Sequence, residues 1–288
     1  MNILTDEKAL ISFIARADTI GMKDYATLLH FFASNKYEPI ISPPPNPDSY
    51  AYKEWQLNLW KAISGRTDYV PHIDEACPDL TLAEGASNPF PYCTHDPVTI
   101  GNYLSAIGNI IKCLELRQGD SLIEFGVGWG HTTVNLARCG YSVTAVDIEK
   151  KFLDIVRYRS CGEPFTITTC HGDFLDFPCQ QAQYDAALFF ECFHHCLNFK
   201  ELLTKIRFSL KPGGRIIFCA ESFYDDFEFP WGVRLDGHSV WAMRKFGWME
   251  LGFNTSFIVN LIKSLGFKVE KKVFDCGAYG NIFIAKLT

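Results

Sequence analysis

The chain has 288 residues, 48 % of them hydrophobic and 21 % charged, which is apolar material for one large or two modest cores and too much for a disordered polymer. Its 27 Lys and Arg stand against 33 Asp and Glu, a net charge of −6 that argues against a nucleic-acid partner, whose binding draws on cations over phosphates. Eleven cysteines with no C-x-x-C pair, no apolar run of ~18–20 residues and a start without a basic or apolar leader read as a reduced, cytoplasmic protein with no membrane span.

Residues 1–90 read as helical and rich in loops. Clustered apolar residues predict helices at 6–15 and 23–34, and Pro43, Pro44, Pro45 and Pro47 end regular structure after them. Tyr52, Trp55, Leu59, Trp60 and Ile63 then recur on one helical face, the spacing of a docking surface more than of a ligand box. From residue 91 the rhythm becomes strand–helix–strand. Asp96-Pro97 starts a helix whose face carries Ile100, Leu104, Ile107 and Ile111, and Gly119-Asp120 stops it. Strands are expected at 121–125, 141–146, 165–170, 184–190 and 215–220, with helices at 130–139, 150–159 and 199–210. This alternation predicts a doubly wound parallel α/β sheet. The strands at 267–274 and 281–287 lie too close in sequence for a helical crossover and must be antiparallel. The division is thus 1–90, a helical cap on the acceptor side, and 91–288, with a long insertion at 223–253.

Glu124-Phe-Gly126-Val-Gly128-Trp-Gly130 lies between a strand and a helix, where glycines let the backbone turn sharply and approach a ligand. The dinucleotide fingerprint G-x-G-x-x-G is not met, because its third glycine falls on His131 or Thr133. Beside Glu124 a cation is better placed than a phosphate. Asp147 ends the next strand, where a carboxylate accepts ribose hydroxyls or simply caps a helix. Asp173 and Phe174 follow the third strand, suited to flank an adenine or to make a turn.

In this order the elements resemble a class I S-adenosylmethionine-dependent methyltransferase, through Glu124–Gly130, Asp147, Gly172-Asp173-Phe174, Tyr184-Asp185 and Leu210-Lys-Pro-Gly-Gly-Arg-Ile216. The resemblance implies a seven-stranded Rossmann-like sheet with an antiparallel last strand, and S-adenosylmethionine (SAM) as cofactor. By it, Glu124, Gly126, Gly128 and Gly130 line the methionine end of the cofactor, Asp147 holds the ribose, and Asp173 with Phe174 the adenine. Glu191 joins this set, and Tyr92 and Thr94 are placed to approach it. A narrower similarity, at 52–74, 221–238 and 246–248, is to methyltransferases that accompany bacterial glycosyltransferases in surface-polysaccharide synthesis.

Glu191-Cys-Phe-His194-His195-Cys196 follows the fourth strand, where the acceptor meets the methyl group. His195 is the first choice for a base and His194 the second, unless positioning alone suffices. No metal is expected, since neighbours this close in sequence point in different directions. The insertion at 223–253 holds nine aromatic residues with carboxylates between them. Trp231, Tyr224 and His238 suit a small, carbohydrate-like acceptor methylated at oxygen, or else these rings pack on the N-terminal helices. The expected acceptor site lies between the histidines and this insertion, closed on one side by 1–90. An N- or protein-methyltransferase and a SAM-binding, non-catalytic subunit stay open as alternatives.

Overall fold

The structure, a computed structural model, describes residues 1–21, 25–39, 42–76, 81–87, 90 and 96–288. The chain divides into two compact units, one of 77–222 with 258–288 and one of 1–76 with 223–257. The first holds a seven-stranded sheet of β1 (Ser121–Phe125), β2 (Ser142–Asp147), β3 (Thr168–His171), β4 (Tyr184–Phe190), β5 (Leu210–Cys219), β6 (Phe267–Val273) and β7 (Asn281–Leu287). The strand order is β6-β7-β5-β4-β1-β2-β3. Strands β1 to β5 pair in parallel, and β7 runs antiparallel to both β5 and β6. Its helices include α1 (Pro97–Leu114), α2 (His131–Arg138), α3 (Lys150–Arg159) and α4 (Phe199–Ser209).

The central strands are apolar because helices cover both faces of a parallel sheet. Leu122, Ile123 and Phe125 of β1 and Ala186, Ala187, Leu188 and Phe189 of β4 are fully buried. Register places Phe125, Phe189 and Phe218 side by side on β1, β4 and β5. Their rings stack nearly parallel, with centroids 4.7 and 5.5 Å apart. At the far edge, β6 carries Lys268, Glu270, Lys271 and Lys272, charges that discourage a further strand from pairing. Asp96 caps α1 through the Thr99 N–H, with Pro97 in the first turn, as the sequence predicts.

Two strands depart from expectation. β3 begins at Thr168 rather than 165, because Phe165 and Ile167 pack into the core before pairing starts. β5 begins at Leu210 rather than 215: Leu210 pairs with Tyr184 and Arg215 with Ala186, so Lys-Pro-Gly-Gly bulges out between them.

The smaller unit is built on the helices Glu7–Ile20, Tyr25–Ala33, Tyr50–Ser64 and Gly237–Phe246. It also holds a parallel pair of short strands and a three-stranded sheet ordered 223–224, 251–254, 231–233. The aromatic segment at 223–253 therefore packs with the N-terminal helices in one unit. On Tyr50–Ser64, Tyr52, Leu59, Trp60 and Ile63 are buried, but Gln56 at 0 % exposure takes the place expected for Trp55, which is half-buried. Its amide closes the strand Trp231–Val233, donating to the Trp231 carbonyl at 3.1 Å and accepting the Val233 N–H at 2.8 Å. No described helix is long and apolar enough to cross a membrane.

Gln56→Ala leaves the buried Val233 N–H without its acceptor and is expected to cost about 2–3 kcal/mol. Urea denaturation of the variant beside the parent chain checks this, and an unchanged midpoint contradicts it.

Candidate active site

The C-terminal ends of β1, β2, β3 and β4 carry the glycine turn, Asp147, Asp173 with Phe174, and Glu191 with His194 and His195. After β1 the chain makes a turn in which Gly126, Gly128 and Gly130 all have positive φ, of 60°, 49° and 73°. Their surroundings differ. A Cβ on Gly126 would strike Cys192 and one on Gly130 would strike Val156, whereas one on Gly128 would meet no protein atom within 4 Å. The outer glycines are required by packing, and the middle one faces open space. The turn leads into α2, whose N-cap Gly130 supplies no side-chain acceptor.

Asp147, at the end of β2, ties this turn down. Its Oδ2 accepts the Gly128 N–H at 3.0 Å and its Oδ1 accepts the Glu149 N–H at 2.8 Å. Burial raises its pKa from 3.8 to about 6, against the pull of those two N–H bonds. Glu124, on β1, is 2 % exposed, and its Oε2 has no hydrogen-bond partner among the described residues. Burial lifts its pKa from 4.5 to about 8, the Thr133 hydroxyl opposing and the Asp147 charge adding to the rise. A buried acid with an unmet oxygen takes a hydrogen-bond donor, and in its ionised form it balances a cationic ligand group.

Asp173 caps the 3-10 turn Phe174–Asp176, its carboxylate accepting the Leu175 N–H while Asp176 accepts the Asp173 N–H. Phe174 is half-buried, edge-on to Phe125 and Phe189. Glu191 follows β4 as an exposed residue with φ of 54°, and Ala220 after β5 has φ of 55°. Such left-handed positions cost non-glycine residues roughly 1–2 kcal/mol and cluster at functional sites. Tyr92 and Thr94 lie outside the described residues.

His194 and His195 form a 3-10 turn with Phe193, their ring centroids 4.4 Å apart. His194 is buried, with Nδ1 2.9 Å from Glu221 Oε2. Glu221 is absent from the candidates drawn from sequence. The signal that could have found it is the one that marks Asp147, an acid where a buried strand ends. Tyr103, on α1, is a second addition, stacked on Phe190 at 5.5 Å. Burial foremost, opposed by Thr132 and reinforced by Glu124 and Glu191, drives its hydroxyl pKa up. No spacing pattern distinguishes it from the other residues of its helix.

The residues expected from sequence to meet the acceptor sit in the smaller unit. Trp231 is 3 % exposed, its indole N–H donating to the Pro47 carbonyl at 2.9 Å and its ring against Tyr52. It serves the interior there and offers no open face to a ligand. Tyr224 is 39 % exposed beneath the Arg234 guanidinium. His238 is exposed, its ring beside Phe32 and Trp241.

Both raised carboxyls bind protons in the folded state over a range where the unfolded chain has released them. Their contribution to stability is full below about pH 4 and is lost as pH rises through about 6 and then about 8. The melting temperature of the ligand-free protein is expected to fall across pH 5–8.5, with a shallower fall in Glu124→Gln. An identical pH dependence in the two proteins overturns the assignment.

Residues 123–218 match the family described as a methyltransferase domain. A demethylmenaquinone methyltransferase of Tropheryma whipplei is 35 % identical over 121 residues, 41 % of this chain and 49 % of the relative. A methyltransferase of Bacillus licheniformis is 30 % identical over 120 residues, 41 % of this chain and 55 % of the relative. The chain thus spans about half the length of the curated relatives it matches. Among solved structures, an S-adenosylmethionine-dependent methyltransferase from Mesorhizobium loti aligns with a TM-score of 0.52 at 16 % identity, covering 62 % of this chain and 96 % of that one. One from Aquifex aeolicus aligns with a TM-score of 0.52 at 12 % identity, covering 73 % and 100 %. At these identities the structural likeness is one of fold. Residues 123–218 are thus similar to a methyltransferase domain, and the larger unit is folded as in these two S-adenosylmethionine-dependent methyltransferases.

Proposed function

We propose that the chain transfers a methyl group from S-adenosylmethionine to a hydroxyl of a small acceptor. The observation that carries this reading is the juxtaposition of Gly128, open to a ligand, with Asp147 and the unmet carboxyl oxygen of Glu124. The bound cofactor supplies an electrophilic methyl group on a sulfonium. Glu124 meets the cationic end of the ligand, and proton loss from its carboxyl accompanies binding. Asp147 uses one lone pair of each oxygen on the turn and keeps others for ribose hydroxyls. Phe174 offers an apolar surface for the adenine, and the Asp173 turn positions it. His194 and His195, after β4, receive the acceptor's proton.

A carbohydrate acceptor draws less support than the bare sequence lends it, because Trp231 is interior. Tyr224 and His238 remain surface residues that a sugar could meet. Demethylmenaquinone, named for the Tropheryma relative, belongs in the acceptor panel beside hydroxylated sugars.

Calorimetric titration with S-adenosylmethionine tests the cofactor site. Gly128→Ala is expected to fold at a cost of about 1–2 kcal/mol for its left-handed backbone and to bind at least ~10-fold more weakly. Asp147→Ala is expected to lose ~1.5–3 kcal/mol of binding, with Asp147→Asn as the variant that keeps the side chain's shape. Parental affinity in a folded Gly128→Ala protein removes the cofactor from this turn. S-adenosylhomocysteine release with the acceptor panel then tests transfer, and tight binding with no release from any acceptor favours a non-catalytic, SAM-binding subunit.

A further inference from the structure

Glu221, directly after β5, is buried with its carboxylate turned toward the loop that follows β4. Oε1 accepts the N–H groups of Cys192 at 2.9 Å and Phe193 at 3.0 Å. Oε2 accepts the His194 N–H at 3.3 Å and lies 2.9 Å from His194 Nδ1. Three successive backbone donors converge on one carboxylate, the arrangement of an anion held in a nest of amides. Such a carboxylate has no proton to give, so the hydrogen between it and the imidazole belongs to Nδ1. The lone pair of the neutral ring is then on Nε2.

We propose that Glu221 is a positioning residue that fixes His194 in the Nδ1–H tautomer and makes its Nε2 the base for the acceptor hydroxyl. This rests on the methyltransferase reading above, and it reverses the order of the two histidines expected from sequence. In the step, Nε2 takes the hydroxyl proton as the acceptor oxygen forms its bond to the methyl carbon. The carbon–sulfur bond breaks, its electron pair staying on sulfur, so a sulfonium becomes a neutral thioether. The positive charge passes to the His194 imidazolium, and Glu221 stands 2.9 Å away to balance it. The same carboxylate fixes the peptide groups of 192–194, so the ring and its turn are set together.

The tautomer is readable without turnover. Full-length protein labelled with 15N-histidine, its His194 signals identified by their loss in His194→Gln, is examined by long-range proton–nitrogen correlation at a pH where the ring is neutral. The expected pattern is protonated Nδ1 and unprotonated Nε2, with the two interchanged in Glu221→Gln, whose amide can donate to Nδ1. An Nε2–H tautomer in the parent chain overturns the proposal, and so does an unchanged tautomer in a folded Glu221→Gln protein. Should that variant fail to fold, the parent spectrum alone decides. With an acceptor in hand, His194→Gln and Glu221→Gln are each expected to lower kcat by ~10²–10⁴, and S-adenosylmethionine affinity in His194→Gln to stay within about twofold of the parent's. A parental kcat in His194→Gln overturns the base role. Absence of turnover with every acceptor counts against the proposed function and leaves the tautomer result standing on its own.

Discussion

A turn made of left-handed glycines has no side chains with which to hold itself, so its shape must be imposed from outside. Here three groups impose it: Cys192 against Gly126, Asp147 on the Gly128 N–H, and Val156 against Gly130. The first is itself held, since Cys192 donates its backbone N–H to Glu221 and its Sγ lies 3.0 Å from the Phe125 carbonyl. The glycine turn and the histidine turn are therefore two ends of one packed set of groups. A disturbance at Glu221 reaches Gly126 through a single residue. In a close-packed interior such displacements are transmitted instead of absorbed.

The burial of two carboxyls at this edge is a cost to folding that the rest of the sheet offsets. The rings of Phe125, Phe189 and Phe218, stacked across three adjacent strands directly behind the site, are a source of that rigidity. Apolar burial fixes the strand ends, and the strand ends fix the acids. The division of labour is spatial: stacking in the middle of the sheet, charge at its rim.

Most of the sheet was legible because parallel strands buried on both faces are short apolar runs, and β1 and β4 occur where those runs stand. The antiparallel last pair followed from a connection too short to cross the sheet. What escaped were polar groups whose partners lie far along the chain. Gln56 lies on a helical face by period, yet only its contacts with 231 and 233 explain its complete burial. Glu221 reads as an ordinary acid until the turn at 192–194 closes on it. The bulge at 211–214 escaped because Pro-Gly-Gly signals a turn and does not say that Leu210 will rejoin the same strand. Trp231 shows the opposite error, since an aromatic ring among carboxylates has the same composition whether it faces a sugar or Pro47.

The smaller unit joins 1–76 to 223–257, two segments separated by most of the larger unit. On a ribosome the first helices leave the exit tunnel long before the strand that Gln56 closes has been made. Tyr52, Trp60 and Ile63, fully buried in the finished protein, stay without the partners that cover them throughout that interval. The sheet, by contrast, has β1 to β5 in hand before synthesis reaches 223. The topology thus sets an order of assembly in which the first-made part of the chain is among the last to find its place.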